Sequence, residues 1–273
     1  MALKSPMPPA NNDLRDALGT VHAPAEDAQR IVSLVPSLTE LLCDLGLSDK
    51  LVGRSGFCIH PRDTVKRIPK MGGTKDADIE KIRAATPTPL VVNIDENRRE
   101  QVEALARFVP HIVVTHPLVP EDNLELFRLF GGLFRREAQA GALAEDFRAA
   151  REELHRATDH LPRQRVLYLI WQDPWMTVAR DTYISAMLAA AGWDTLPETS
   201  DVRYPEVDPA SEGLIADRVL LSTEPYRFTE KHLAQTAARF GAPAQLIDGE
   251  MLSWYGSRAV AGLRYLARLR HER

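Results

Sequence analysis

At 273 residues the chain is long enough for one large domain or two small ones, each with its own core, and 44% apolar with 26% charged residues is the make-up of an ordinary globular protein. A formal net charge of −4 provides no basic field and excludes electrostatic capture of nucleic acid or of an anionic membrane surface. Two cysteines, Cys43 and Cys58, exclude a disulfide framework.

The first twelve residues, Met-Ala-Leu-Lys-Ser-Pro-Met-Pro-Pro-Ala-Asn-Asn, contain no apolar signal segment and no cysteine near a cleavage site. Nothing in the chain approaches the roughly 20 apolar residues of a spanning helix. As written, the sequence reads as cytoplasmic, without signal peptide, lipobox or membrane insertion, or as an exported protein whose signal is missing from it.

Residues 1–29 read as a tail and lead-in. Residues 30–37 are an apolar strand ending in a Pro-Ser loop, followed by a short amphipathic helix over 38–47 with Ser37 or Thr39 as its cap. A second strand at 51–53 leads into the irregular segment 54–61 and the glycine loop 71–74. Helices at 76–85, 99–108 and 123–130 alternate with strands at 90–93 and 111–115, with polar loops at 95–98 and 117–122. Gly131-Gly132 reads as punctuation. Such alternation, with apolar and β-branched strands, predicts a mostly parallel sheet covered on both faces.

Residues 133–157 carry Leu133, Ala140, Leu143, Phe147, Ala150 and Leu154 at mostly three- and four-residue steps, which predicts one amphipathic helix of about 37 Å. Periodicity alone fits an ordinary surface helix equally well; its place between two α/β runs favours a connector. Alternation then resumes: strands at 165–170, 218–222 and 244–247, helices at 181–191, 230–240 and 259–269, with a break at Gly192-Trp193 and loops at 171–176, 223–228, 248–250 and 253–258. The expected fold is therefore α/β: an N-terminal lobe over 30–132, a connecting helix over 133–160 and a C-terminal lobe over 161–273.

No G-x-S-x-G elbow, P-loop, H-E-x-x-H or paired C-x-x-C occurs, and neither Gly72-Gly73 nor Gly131-Gly132 has the spacing of a dinucleotide fingerprint. That lowers the enzyme class without excluding a triad scattered along the chain. Arg62, Lys66, Arg67 and Lys70 form a basic run that reads as a solvated loop or as a phosphate grip. Cys43 reads as a small buried hydrophobe on the first helix, and Cys58 lies two residues before His60.

Loops at the carboxyl ends of parallel strands form ligand crevices, and here they are rich in aromatic and polar residues. Phe57, His60, Thr74, Asn97 and Arg98 come from the first half; Trp171, Trp175, Tyr204, Glu206, Tyr226, Asp248, Trp254, Tyr255 and Arg258 come from the second, with Cys58, Lys75, Asp95, Glu96, Gln172, Glu224 and Glu250 in the same loops. Rigid aromatics with a polar edge suit a flat, wide ligand. His60 reads either as a ligand to iron, zinc or a chelated cobalt, or as a histidine bonded to its own loop. Tyr204, Tyr226 and Tyr255 with a carboxylate would suit bare Fe(III).

The order strand, Pro-Ser loop, helix, strand, irregular loop and Gly-Gly-Thr over residues 30–74 resembles the opening of the substrate-binding proteins of cobalamin and ferric-siderophore ABC importers, the helical-backbone metal-receptor superfamily. The segments 95–98, 203–206, 224–226 and 248–258 resemble those of a branch labelled only as cobalamin-binding or metal-receptor proteins. The resemblance implies two lobes on one stiff helix, small closure, no enzymatic activity and no required cofactor. It implies a monomer holding a metal chelate, a corrinoid first and a ferric siderophore, haem or metal ion as alternatives. Phe57, Trp171, Trp175 and Trp254 would stack on it, and Asn97, Arg98, Tyr204, Glu206, Asp248 and Arg258 would make polar contacts. Relatives are usually periplasmic or lipid-anchored and dock on an ABC permease through a glutamate on each lobe, for which Glu80 and Glu212 are the nearest matches here. A cytosolic enzyme or chaperone acting on a tetrapyrrole or metal cofactor is the rival of another class.

Overall fold

The first long strand, β3 (Ile31–Ser33), has no exposed residue, and β5 (Pro89–Asn93) is likewise buried along its whole length. Both lie in the interior of a parallel sheet, where a strand covered on both faces has no polar alternation. The computed structural model describes residues 13–25, 29–211 and 214–271. Among these, β4 (Leu51–Arg54) and β6 (His111–Thr115) complete a four-stranded sheet in the order β4-β3-β5-β6. A second parallel sheet runs β10-β9-β7-β8, made of β7 (Gln164–Leu169), β8 (Trp193–Thr195), β9 (Arg218–Ser222) and β10 (Ala244–Ile247). Each sheet grows outward from its first strand on one side and then on the other, so β3/β5 and β7/β9 are topological switch points. The loops leaving these strands diverge and open a crevice.

Helices α1 (Pro36–Asp44), α5 (Asp122–Phe134), α6 (Glu137–Thr158) and α10 (Arg258–His271) fill the space between the sheets. One hydrophobic core runs from Ile31 and Val91 through Leu41, Phe127, Phe147 and Leu154 to Val166, Tyr168 and Leu263. The outer faces have cores of their own, around Val32, Leu90 and Ile82 under α3 (Ile79–Ala84) and α4 (Arg99–Leu105), and around Leu167, Trp175 and Phe228 under α8 (Leu233–Phe240). Sharing a core couples the lobes more tightly than a single helix would, because any rotation between them opens apolar contacts.

The long connecting helix is α6, 22 residues and about 33 Å. It starts at Glu137, not at residue 133. Leu133 and Phe134 finish α5, which ends at Arg135 in the left-handed conformation (φ 53°). Gly131-Gly132, expected to punctuate, lies inside α5: a Cβ on Gly131 would sit 2.6 Å from the Ala140 Cβ, so this glycine lets α5 and α6 pack closely. The seven-residue step from Leu133 to Ala140 hid the break, since two adjoining helices can share one apolar phase.

Other elements differ locally. Val35 is the N-cap of α1, with Pro36 in the first turn; Ser37 and Thr39 lie inside the helix, and Thr39 donates to the Val35 carbonyl at 2.9 Å. Trp193, expected in a turn, is 2% exposed in β8, with its indole N–H bonded to Gln164. Residues 249–253, expected as loop, form α9 (Gly249–Ser253), capped by Asp248. The lead-in is a hairpin of β1 (Leu14–Arg15) and β2 (Val21–His22). Cys43 is half-buried, whereas Cys58 is buried, against the hydroxyls of Thr39 and Ser55. No helix among the described residues is long and apolar enough to cross a membrane.

Candidate functional site

A cavity of about 510 Å³ lies between the lobes at the carboxyl ends of both sheets. Its lining follows from the switch points: Pro36 and Ser37 follow β3, Asn93, Asp95 and Glu96 end or follow β5, and Glu224 and Pro225 follow β9. Phe57 and Thr74 enter from the first-lobe loops, Tyr204 from the segment after β8, and Trp254 and Tyr255 from the turn between α9 and α10. Phe57 and Tyr204, 62% and 42% exposed, stand at the rim, while Trp254 and Tyr255 are buried.

The turn at 254–258 reaches the cleft because it folds back onto the first lobe. Gly256 adopts φ 80°, lies against Leu41 of α1, and donates its N–H to Asn123 Oδ1 at 2.6 Å. Asn123 in turn donates to the hydroxyl of Tyr183, in α7 (Tyr183–Ala190), at 2.9 Å, and Tyr183 packs edge-on against Tyr255. Arg258 then forms a bidentate pair with Glu40 of α1 at 2.6 and 2.7 Å and meets Glu250 at 3.3 Å. Glu250 also takes the His60 imidazole at 2.9 Å. On the opposite rim Arg203 bonds Asp95 and His116. These contacts clamp the cleft at two edges.

Two carboxylates face the cavity without a bound arginine. Glu96 accepts from the Tyr255 hydroxyl at 2.6 Å, and burial pushes its pKa up to about 7. Glu224 accepts from Ser253 and from the Trp254 indole at 3.1 Å; burial again raises its pKa, with those two hydrogen bonds opposing. The Tyr255 hydroxyl is held well above its ordinary value by burial and by the neighbouring Glu96. The cavity therefore joins aromatic surface to two carboxyl groups whose protonated forms burial favours, that of Glu96 up to about pH 7.

Of the residues expected in the site, Phe57, Thr74, Tyr204, Trp254 and Tyr255 line this cavity. The others do not. Trp175 stacks on Phe228 at 6.2 Å and belongs to the outer core of the second lobe. Trp171 is edge-on to Tyr226, and both lie beyond the cavity wall. Asn97 is buried and spent on the Asn93 amide and the Leu34 and Thr74 carbonyls. Arg98 is an exposed N-cap of α4, and Glu206 is exposed, bridging Met176 through its backbone. Asp248 caps α9 and Arg258 is committed to its two glutamates. His60 lies outside the lining, its ring held by Glu250 and edge-on to Trp254 at 5.4 Å.

Glu96 and Glu224, expected in crevice-facing loops but not among the named contacts, line the cavity as well. Ser37, Tyr183 and Ser253 line it without having been expected there. Tyr183 and Ser253 are helical residues aimed by packing, which position along the sequence does not show. No trio of His, Cys, Asp or Glu side chains among the described residues is arranged to hold a bare metal ion. Glu80 is 80% exposed on α3, 3.6 Å from Arg83; Glu212 lies outside the described residues.

The sequence profile of the periplasmic binding protein family matches residues 31–211. The vitamin B12-binding protein of Vibrio vulnificus (strain CMCP6) is 25% identical over 222 residues, 80% of this chain and 77% of its own length. Two solved structures share the fold. The periplasmic vitamin B12 binding protein BtuF of Vibrio cholerae superposes with a TM-score of 0.77 at 19% identity, over 90% of this chain and 99% of that one. The periplasmic heme-binding protein RhuT from Roseiflexus sp. RS-1 gives 0.74 at 23%, over 90% and 98%.

Proposed function

The chain belongs to the periplasmic binding protein family, and from that membership we propose that it is the substrate-binding protein of an ABC-type importer, holding a corrinoid such as cobalamin in the cleft between its lobes. The observation that carries this reading is the cavity itself, set at two switch points and walled by Phe57, Tyr204, Trp254 and Tyr255. Its volume falls within the range of roughly 300–1,000 Å³ found for small-molecule sites. Rigid rings on both lobes suit a planar chelate, and offset or edge contacts to it supply most of the binding free energy. The vitamin B12-binding name of the Vibrio relative points the same way.

Glu96 and Glu224 favour a corrinoid over a haem or an anionic siderophore. Carboxyl groups accept hydrogen bonds from the amide arms of a corrinoid in either protonation state, whereas free carboxylates on a ligand would be tolerated only while Glu96 and Glu224 keep their protons. The protein binds and releases without turnover in this reading. The lobes over 30–132 and 161–273 act as its jaws, a monomer suffices, and Glu80 is the first-lobe contact for a permease. A periplasmic address goes with the same proposal.

Visible-absorbance and calorimetric titration with aquocobalamin, beside haem and a ferric siderophore, tests it. Saturable one-to-one corrinoid binding with a shift of the cobalt bands is expected. Absence of corrinoid binding with saturable haem or siderophore binding would overturn the ligand, and absence of all three would overturn the importer reading.

A further inference from the structure

The loop at residues 56–60 separates two concavities. Phe57 lines the cleft, Gly56 and Ile59 line both, and Cys58 and His60 face a second cavity of about 400 Å³. Arg54, Arg62, Lys66 and Lys70 also line this second cavity, and no Asp or Glu is among its described lining residues. Lys66 pairs with Asp63 at 3.1 Å, but that pair is on the open surface and screened.

Arg54 distinguishes the cavity from an ordinary basic surface. It ends β4 and is 5% exposed. Its backbone is pinned on both sides, the N–H to the Pro69 carbonyl and the carbonyl to the Met71 N–H. Its side chain donates to two neutral acceptors, the Val65 carbonyl at 2.7 Å and the Ser55 carbonyl at 3.0 Å, and it takes part in no ion pair among the described residues. Burying a guanidinium without an anion is costly, and placing three more cations around it raises that cost. A solvated loop accounts for Arg62, Lys66 and Lys70 but leaves the burial of Arg54 unexplained.

We propose that this second cavity is an oxyanion site that takes a phosphate or phosphate-ester group on Arg54, with Arg62 and Lys70 closing over it. A guanidinium fixed by backbone carbonyls presents its remaining N–H groups in a fork that matches phosphate oxygens. The group comes either as a free ion or as the phosphate arm of a ligand whose ring lies across the 56–60 loop. The site stands whether or not the cleft takes a chelate.

Calorimetric titration of the purified full chain with inorganic phosphate tests it, with sodium chloride at matched ionic strength as the blank. One-to-one binding is expected, weakened about tenfold for each charge-assisted contact removed. The double variant R62A/K70A changes exposed side chains, keeps the fold and should lose most of the affinity; R54Q should lose all of it. The equally basic but distant pair in K81A/R83A should bind as the parent does. No phosphate heat in the parent, or unchanged affinity in R62A/K70A, would overturn the site. Repeating the titration on protein saturated with cobinamide and with cobalamin, which differ in a phosphate-linked nucleotide arm, separates the sources. Phosphate excluded by cobalamin alone assigns the site to the ligand's arm, and phosphate admitted with both assigns it to a free ion.

Discussion

Tyr255 donates its hydroxyl proton to Glu96 Oε1 at 2.6 Å, and this hydrogen bond ties the turn before α10 to the loop after β5, one lobe to the other. Because Glu96 is buried at that contact, its carboxyl titrates near 7 instead of at its ordinary 4.5. The folded state then holds a proton that the unfolded chain releases, so this group's stabilising contribution is complete below about pH 4.5 and is lost as pH rises to 7 and beyond. The effect is bounded by about 3.5 kcal/mol, one pKa unit being worth about 1.4 kcal/mol. Glu96→Gln should flatten the urea stability profile between pH 4.5 and 8 and be more stable than the parent at pH 8. An unchanged profile would remove Glu96 as its cause.

The pair Arg258–Glu40 should be worth more than a surface ion pair. Both side chains are nearly covered, and the guanidinium meets a second carboxylate at Glu250. Arg258→Ala should destabilise by about 2–4 kcal/mol, because Glu40 is left buried without its partner. Adding Glu40→Gln should recover part of that loss, measured as the coupling in a double-mutant cycle by urea denaturation.

Trp254 and Trp175 should separate binding from folding. Trp254→Phe keeps a ring in the cavity but removes the indole donor to Glu224. Under the proposed function it should weaken chelate binding about tenfold and abolish most of the ligand-induced quenching of tryptophan fluorescence. Trp175→Ala should cost about 3–5 kcal/mol of stability through its lost contacts with Phe228 and Phe240. The folded fraction should bind as the parent does.

Trp171→Ala is the matching control. Trp171 is 40% exposed and packs on Tyr226 outside the cavity wall, so chelate affinity should change by less than about threefold. A larger loss in calorimetry would place the ligand deeper into the second lobe than the cavity reaches.

Gly131→Ala tests the α5–α6 contact. In an isolated helix the change would be favourable by about 1 kcal/mol. Here the new methyl would sit 2.6 Å from the Ala140 Cβ, so a net destabilisation of about 1–3 kcal/mol is expected. Thermal unfolding of the variant checks the sign.

The parallel strands were legible because burial on both faces leaves apolar runs without polar alternation, as in Ile31-Val32 and Leu90-Val91-Val92. Helix ends were less so: Leu133 fits the phase of α6 yet finishes α5, and nothing local marks the left-handed turn at Arg135. In the site, loops after parallel strands were readable, which is why Phe57 and Thr74, after β4, and Glu96 and Glu224, after β5 and β9, were expected at the crevice. Trp171 and Trp175 have the same credentials in sequence as Trp254, an aromatic in a loop at the sheet end.

By itself the sequence determined the two α/β halves and the long helix between them, because these depend on periodicity and element order along the chain; the family rests on likeness to known proteins. The tertiary structure decided which aromatics meet in the cleft and which carboxylates stay unpaired there. Those facts depend on contacts between residues more than 150 positions apart, such as Glu96 with Tyr255 and His60 with Glu250. A side chain's direction at the end of a loop is set by what that loop packs against. For residues 254–258 that is α1 and α5 of the opposite lobe, reached through Gly256 and Asn123.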